Sequence, residues 1–434
     1  MTETALASGF TREAFEAFLS ARHEPNWLTQ MRSEAWEAFE AMELPSRREE
    51  EWMRTDIRLF KLDRFGMPPD LVPGLPIPPA LLTEGVGLAG RTSSLNSRVV
   101  EAGLDSSAAG QGVLFGSLEE LVAEHGDLLR PHLFKISNPR ADKFAALHAA
   151  CWSGGVLVYV PRGVRVEKPF HTLSGLAAGG GDLSHALIVL EDGAEATVLA
   201  ETAGDDQANL HCGSIEIVVG AGAKLRYVNL QNWGAGTWHF AHQRAVVHRD
   251  GALQWTIGAL GSRLAKVNQH VALVGEGANT QVNGVMFTEG KQHLSYHTLQ
   301  HHRAAYCRSD LLYKGALQDH SHLVWRGMIK VDPGAQKTNG YQRNDNLILT
   351  ETARADSIPG LEIEADDVIC THGATAGRVD DQQIFYARCR GLTRNEAVRM
   401  IVAGFFQQVF DRITIDSVRE ALGHAIGRRI REYD

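Results

Sequence analysis

ALIVLEDGAEATVLA (residues 186–200) and IEIVVGAGAKLRYVNL (residues 215–230) share one pattern: an apolar run, one or two polar residues, Gly-Ala or similar, then alternating polar and apolar residues. The unit recurs at 156–166 about Gly163, 245–257 about Gly251, 271–287 about Gly277 and 328–341 about Gly334. Successive turn glycines stand 30, 29, 29, 26 and 57 residues apart, so the last gap is close to two ordinary ones and predicts a further turn near His302–Ala305. A repeat near 29 residues built of strands and turns, with no helix in each unit, is the signature of a β-solenoid. A single coil cannot bury its inward face alone. Stacked coils can: Ile188, Leu190, Val198, Ile217, Val219, Val247 and Val274 are predicted to form an inner column, while Lys224, Arg226 and Gln254 alternate outward. The competing architecture is an antiparallel sandwich, with Asp192-Gly193 and Asp250-Gly251 as its hairpin turns.

Outward from the repeat the period changes. Residues 1–66 read as a helical region, with Phe15, Phe18, Leu19, Trp36, Phe39 and Met42 at helical spacing and Pro25 dividing two helices. Residues 67–79 carry six prolines and a glycine and read as a linker. Residues 80–153 are mixed, with helices expected at Leu118–Leu129 and about Ala141–Cys151. The core spans 154–379, and 380–434 reads as a helical domain. There Asp380-Asp381 caps a helix that Gly391 ends, and Thr393/Glu396 and Ser417/Glu420 form two capping boxes. An apolar stripe runs through Val398, Ile401, Val402, Phe405, Val409 and Ile413, and another through Val418, Leu422, Ile426 and Ile430. The fold class is mainly β, a solenoid flanked by N-terminal and C-terminal helical regions.

Composition narrows the function. With 43 basic against 52 acidic side chains the net charge is −9, which disfavours nucleic acid and anionic membranes as partners. No stretch reaches the length of a spanning helix and the N-terminus does not read as a signal peptide, so a cytoplasmic protein is expected. Five scattered cysteines without a Cys-x-x-Cys pair exclude a sequence-local zinc ribbon. Cys151, Cys212, Cys307 and Cys389 read as small buried hydrophobes. Cys370-Thr371-His372 is more suggestive, because residues i and i+2 of a strand share a face and a thiolate and an imidazole there can address one ion. A buried structural pair is the plainer reading. Asp366-Asp367 upstream fits a solvated turn. His293, His297, His301, His302, His320 and His322 crowd one stretch, where hydrogen bonding to neighbouring coils outweighs a metal site. Gly290-Lys291 lacks the rest of a P-loop, Gly179-Gly180-Gly181 has no helix behind it, and no Gly-x-Ser-x-Gly elbow occurs. No nucleotide site is expected on this chain.

DDVICTHGATAGRVDDQQIFYARCRG (366–391), with LTRNEAVRMIVAGFFQQVF after it, resembles the SufB/SufD family of iron–sulfur cluster assembly proteins. SRREEEWMRTDI (46–57) and DPGAQKTNGYQRNDNLILTETARADSIPGLEI (332–363) are similar to other parts of that family. Gly373 stands where SufB proteins usually carry glutamate, which favours the D-type paralogue. The resemblance implies a right-handed parallel β-helix and a non-enzymatic scaffold. It also implies pairing with a SufB-like subunit through the β-helices, with a homodimer as the alternative, and docking of a SufC-like ABC ATPase on the C-terminal domain. The cofactor implied is an iron–sulfur cluster, transient and shared with the partner, with His372 the better ligand candidate and Cys370 beside it. Reduced flavin is linked to such complexes, and no feature of this sequence places it. Phe405, Phe406 and Val409 are the candidates for facing the ATPase, although packing inside the domain is the default for such a stripe. Two other readings stand beside this one: a β-helix carbohydrate-active enzyme, for which no clustered groove residues are apparent, and a structural subunit whose Cys370 and His372 bind nothing.

Overall fold

The computed structural model describes residues 9–67, 76–83 and 85–430, so most of the proline-rich stretch lies outside the described residues. Two ten-stranded sheets face each other. Each coil gives one strand to each sheet, as Glu195–Gly204 and Leu210–Val219 are followed by Lys224–Asn232 and Trp238–Val247. Lys224 lies beside Glu195 on one side and Ala252 on the other, all in parallel register. The sequence repeat is therefore one coil, and about eight turns stack into a parallel β-solenoid. The sandwich is overturned. Its two supposed hairpins are solenoid corners, with left-handed backbone at Gly193 (φ +71°) and at Asp250 (φ +54°) rather than Gly251. The predicted extra turn is present, with Tyr306 left-handed at φ +58°.

Side-chain alternation follows the pleat. Ile188, Leu190, Val198, Ile217, Val219 and Val247 are buried in one continuous cluster. Val274 differs: the strand ends at Leu273, which takes the inward place, and Val274 is half-buried in the corner. At the corners coils approach closely enough to demand glycine. A Cβ on Gly234 would lie 1.7 Å from the Asp205 carbonyl oxygen of the coil before. Gly234→Ala is expected to lower stability by about 1–3 kcal/mol through backbone overpacking, seen as a reduced thermal midpoint.

The solenoid is covered outside by the flanking helices. α1 (Arg12–Ser20) and α2 (Asn26–Ala41) are divided at Pro25, as the spacing predicts, and Phe15 stacks on Trp36 at 4.4 Å. α3 (Ser106–Ala109) is a single turn, and α4 (Leu118–Leu129) and α5 (Lys143–Cys151) follow. α5 is buried on nearly every side, with Phe144 stacked on Phe240 of the sheet at 3.7 Å. The solenoid sheet itself begins before the sequence repeat does, because Gly90–Leu95 pairs in parallel with Phe170–Leu176. Antiparallel strands Arg98–Leu104 and Leu114–Ser117 close that end.

α6 (Asp381–Cys389), α7 (Arg394–Phe410) and α8 (Asp416–Arg429) cover the outer face of the sheet that carries Glu195–Gly204 and Lys224–Asn232. Asp380 caps α6 by accepting from the Gln382 N–H at 2.8 Å, and Thr393 and Glu396 form the expected capping box. The second box does not form. Burial of Ile413 and Val418 sets α8 to begin at Asp416, with Ile415 as its cap position, which places Ser417 inside the first turn.

One buried polar network ties the closed end together. The fully buried Glu216 carboxylate accepts backbone N–H groups of Phe134 (2.6 Å), Ile136 (3.0 Å) and Ser137 (2.8 Å), and His185 Nε2–H at 3.1 Å. His148 Nδ1–H donates to the Cys212 carbonyl at 3.0 Å, so its Nε2 accepts from His185 Nδ1–H at 3.1 Å. Burial pushes His148 well below the usual imidazole range. The buried chain of contacts thus runs from the Cys212 carbonyl through His148 and His185 to Glu216.

Candidate functional site

Within the stack each inward row is covered by the next coil. The last coil has no successor, so the inward rows of Arg354–Ile363 and Ile369–Arg378 are left uncovered. In the ladder Cys370 lies beside Gly340 and His372 beside Gln342. Gln342 is buried inside the solenoid and donates to the Gly360 carbonyl at 2.9 Å, which fixes the inward face and places Cys370 and His372 on it. Two residues apart on one strand, they stand about 7 Å from each other along the backbone.

Their surroundings differ. The Cys370 sulfur borders the small cluster of Ile329, Val331, Ala335 and Ala365, and a Cβ on Gly340 would come within 3.2 Å of it. Partial burial raises the thiol pKa, so the free chain holds a neutral thiol there. His372 is exposed. Leu361 (37 % exposed) and Ile363 (40 %) belong to the same uncovered inward rows. Sequence reading missed these two, because whether an inward residue is covered depends on where the stack stops, which periodicity does not encode. Asp367 pairs with Lys337 in the preceding turn, a surface role.

The pair supplies two donors where a cluster takes about four protein ligands. Among the described residues no group of three or more His, Cys, Asp and Glu side chains is placed to hold a metal ion. A cluster held at this rim would need donors from another chain.

The remaining candidates are accounted for by contacts. His293 meets His322, which reaches Asp356 at 3.0 Å; His297 meets Glu51 at 2.6 Å; His301 meets Asp332 at 2.7 Å. His302 faces inward to Ser309 at 2.8 Å, and His320 lies in the turn before the strand His322–Val331. His293 and His322, 29 residues apart, are brought together by the coil period. Cys151, Cys212 and Cys307 are buried, but Cys389 is exposed near the end of α6, because that helix buries only Ile384 and Ala387. Phe406 and Val409 are fully buried inside the chain and so cannot face an ATPase. Phe405 is half-buried with the Lys314 ammonium 4.7 Å from its ring centre. The helical domain instead exposes Phe385, Tyr386 and Met400, which lie off the stripe and are invisible to a search for periodicity.

No helix among the described residues is long and apolar enough to cross a membrane. What fold and rim define is a solenoid closed at one end, with Cys370 and His372 on an uncovered inward row at the other. Comparison with known proteins gives the class a family. Residues 173–405 match the SufBD core domain of SUF system FeS cluster assembly, and residues 90–171 match the SufBD protein N-terminal region. The iron–sulfur cluster assembly protein SufB of Bacillus subtilis is 27% identical over 424 residues, covering 92% of this chain and 88% of its own. An iron–sulfur cluster assembly SufBD family protein of Mycobacterium tuberculosis is 33% identical over 294 residues, covering 66% of this chain and 73% of its own. The chain belongs to the SufB/SufD family and is an iron–sulfur cluster assembly protein.

Proposed function

We propose that this chain is a D-type, non-enzymatic scaffold subunit that completes its open rim against a SufB-like paralogue and carries a SufC-like ATPase on its C-terminal helices. The observation that carries the reading is the uncovered inward row holding Cys370 and His372 beside Leu361 and Ile363. Covering that row removes apolar surface from water and brings a second donor set to the first. The cluster is then cargo, shared across the interface and released when ATP-driven motion parts the subunits. A second copy of this chain would cover the same row in a resting homodimer.

The D-type assignment rests on Gly373. A Cβ added there meets nothing within 4 Å, so packing does not require glycine, and the lack of a carboxylate is a chemical difference rather than a steric one. For the ATPase the supporting surface is Phe385, Tyr386 and Met400, with the Arg390 guanidinium 5.2 Å from the Tyr386 ring. Aromatic, Met and Arg side chains are the types that dominate protein interfaces. Co-expression with SufB-like and SufC-like proteins of the same source is expected to yield one complex of all three. Phe385→Asp with Met400→Asp should weaken the SufC-like component at least about tenfold and leave the SufB-like one, since both side chains are solvent-facing and their loss costs the fold little. Retention of the ATPase in the double variant would move its docking surface elsewhere.

A further inference from the structure

A groove of about 480 Å³ runs over the outer face of the sheet that carries Trp238–Val247, Leu264–Leu273 and His293–His302, and reaches Glu362 on the outer side of the last strand. Most charges in it are matched. Arg326 bridges Glu50 and Glu51, Lys330 pairs with Glu362, and His242 with Asp142 at 3.1 Å. Arg244 is the exception. Its guanidinium donates through Nη1 to the carbonyls of Asn268 (2.8 Å) and Gln243 (3.2 Å), and Nη2 makes a long contact with His242 at 3.4 Å. No described carboxylate forms an ion pair with it. Burial pulls its pKa down to about 10. The nearby Asp142 and Glu216 carboxylates favour its charge without pairing with it, and a largely buried cation lacking a direct ion pair is costly to the chain alone.

The edge formed by Nε and Nη2 is the one that binds a carboxylate side-on through two parallel hydrogen bonds. The ladder sets what lies beyond it. Arg244 stands beside His270, His270 beside Leu299, and Leu299 beside Met328, one row across four strands. His270 is held neutral, its pKa pushed to about 3 by burial and by Arg244. Leu299 and Met328 are half-buried. The row thus passes from cation to neutral ring to apolar surface over about 14 Å, three strand spacings.

We infer that this groove is a binding site for an organic carboxylate with an apolar tail, the acid on Arg244 and the tail along Leu299 and Met328. The site lies on the outer face of the sheet, opposite the inward row of Cys370 and His372, and does not rest on the scaffold reading. Nothing in the argument requires a partner chain, so the full-length protein alone suffices for the test.

Octanoate is titrated into the full-length chain by calorimetry at neutral pH, with octanamide and succinate as comparators. Saturable binding of octanoate is expected, with octanamide and succinate each weaker by about tenfold or more, since each lacks one half of the match. Arg244→Gln should reduce octanoate affinity by a similar factor, and Leu299→Asp, which leaves the guanidinium in place, should do the same. Both variants are checked for the wild-type circular dichroism spectrum and thermal midpoint. If Arg244→Gln unfolds, Leu299→Asp carries the result. No saturation by octanoate at millimolar concentration, or equal binding of octanamide, or undiminished binding by folded Leu299→Asp, would overturn the proposal.

Discussion

His372→Ala is expected to stop cluster assembly while leaving the complex intact. The imidazole is exposed at the rim, so its removal leaves no buried cavity behind. Fold and partner pairing should therefore persist, and the loss should appear only in iron and acid-labile sulfide bound after anaerobic reconstitution. Cys370→Ala is the contrast. Its sulfur packs against Ile329 and Val331 at the edge of a small core, so loss of that packing is mixed with any loss of a donor. A thiol half-buried and raised in pKa also ligates less readily than a free imidazole until a metal displaces its proton. The expected order is a near-complete loss for His372→Ala and a partial one for Cys370→Ala. Unchanged cluster content in an intact His372→Ala complex would remove His372 as a ligand and leave the chain a structural subunit.

Glu216→Ala is expected to be the most damaging single change to the fold. The carboxylate satisfies three backbone N–H groups of the 134–137 loop together with the buried His185 ring. Truncation strands the buried His185 ring nitrogen and three amides at once. Breaking a buried pair from one side costs about 3–5 kcal/mol. The Phe134 backbone is left-handed at φ +54°, so the loop has strain to release once its anchor is gone. Glu216→Gln keeps the shape and one acceptor oxygen, and is expected to lose less. The thermal midpoints of wild type, Gln and Ala variants should fall in that order. Midpoints within a degree of one another would show that the loop is held by its apolar packing instead.

Much of this was readable in the chain. The Gly-Ala turns and the 29-residue spacing encode one coil, and Thr393 with Glu396 encode a helix start, because both are local patterns with local causes. Pro25 and the Phe15/Trp36 spacing did the same for the N-terminal pair of helices. What escaped reading is non-local. Gly90–Leu95 carries no repeat signature but joins the sheet because Phe170–Leu176 offers it an open edge. Ser417 reads as a cap from sequence, but the burial of Ile413 and Val418 sets the cap position two residues earlier, at Ile415. Phe406 and Val409 showed a stripe, and a stripe says that one face is covered without saying by what. The pair His185 and Glu216 lies 31 residues apart, close to one coil, so the period itself carried that contact, but only a known register could turn the spacing into a hydrogen bond.

For the rim the motif Cys370-Thr371-His372 gave the shared face from strand geometry alone. It could not give the absence of a covering coil. That absence changes the setting of the pair, from residues enclosed in a core to side chains presented at an end.

The central claim is that this end is completed by another chain. Native mass spectrometry and iron analysis of the protein purified without oxygen, after co-expression with SufB-like and SufC-like proteins from the same source, tests it most directly. The account predicts a stable complex containing all three chains and carrying iron. A chain that elutes alone and free of iron, with both partners present and folded, would contradict it.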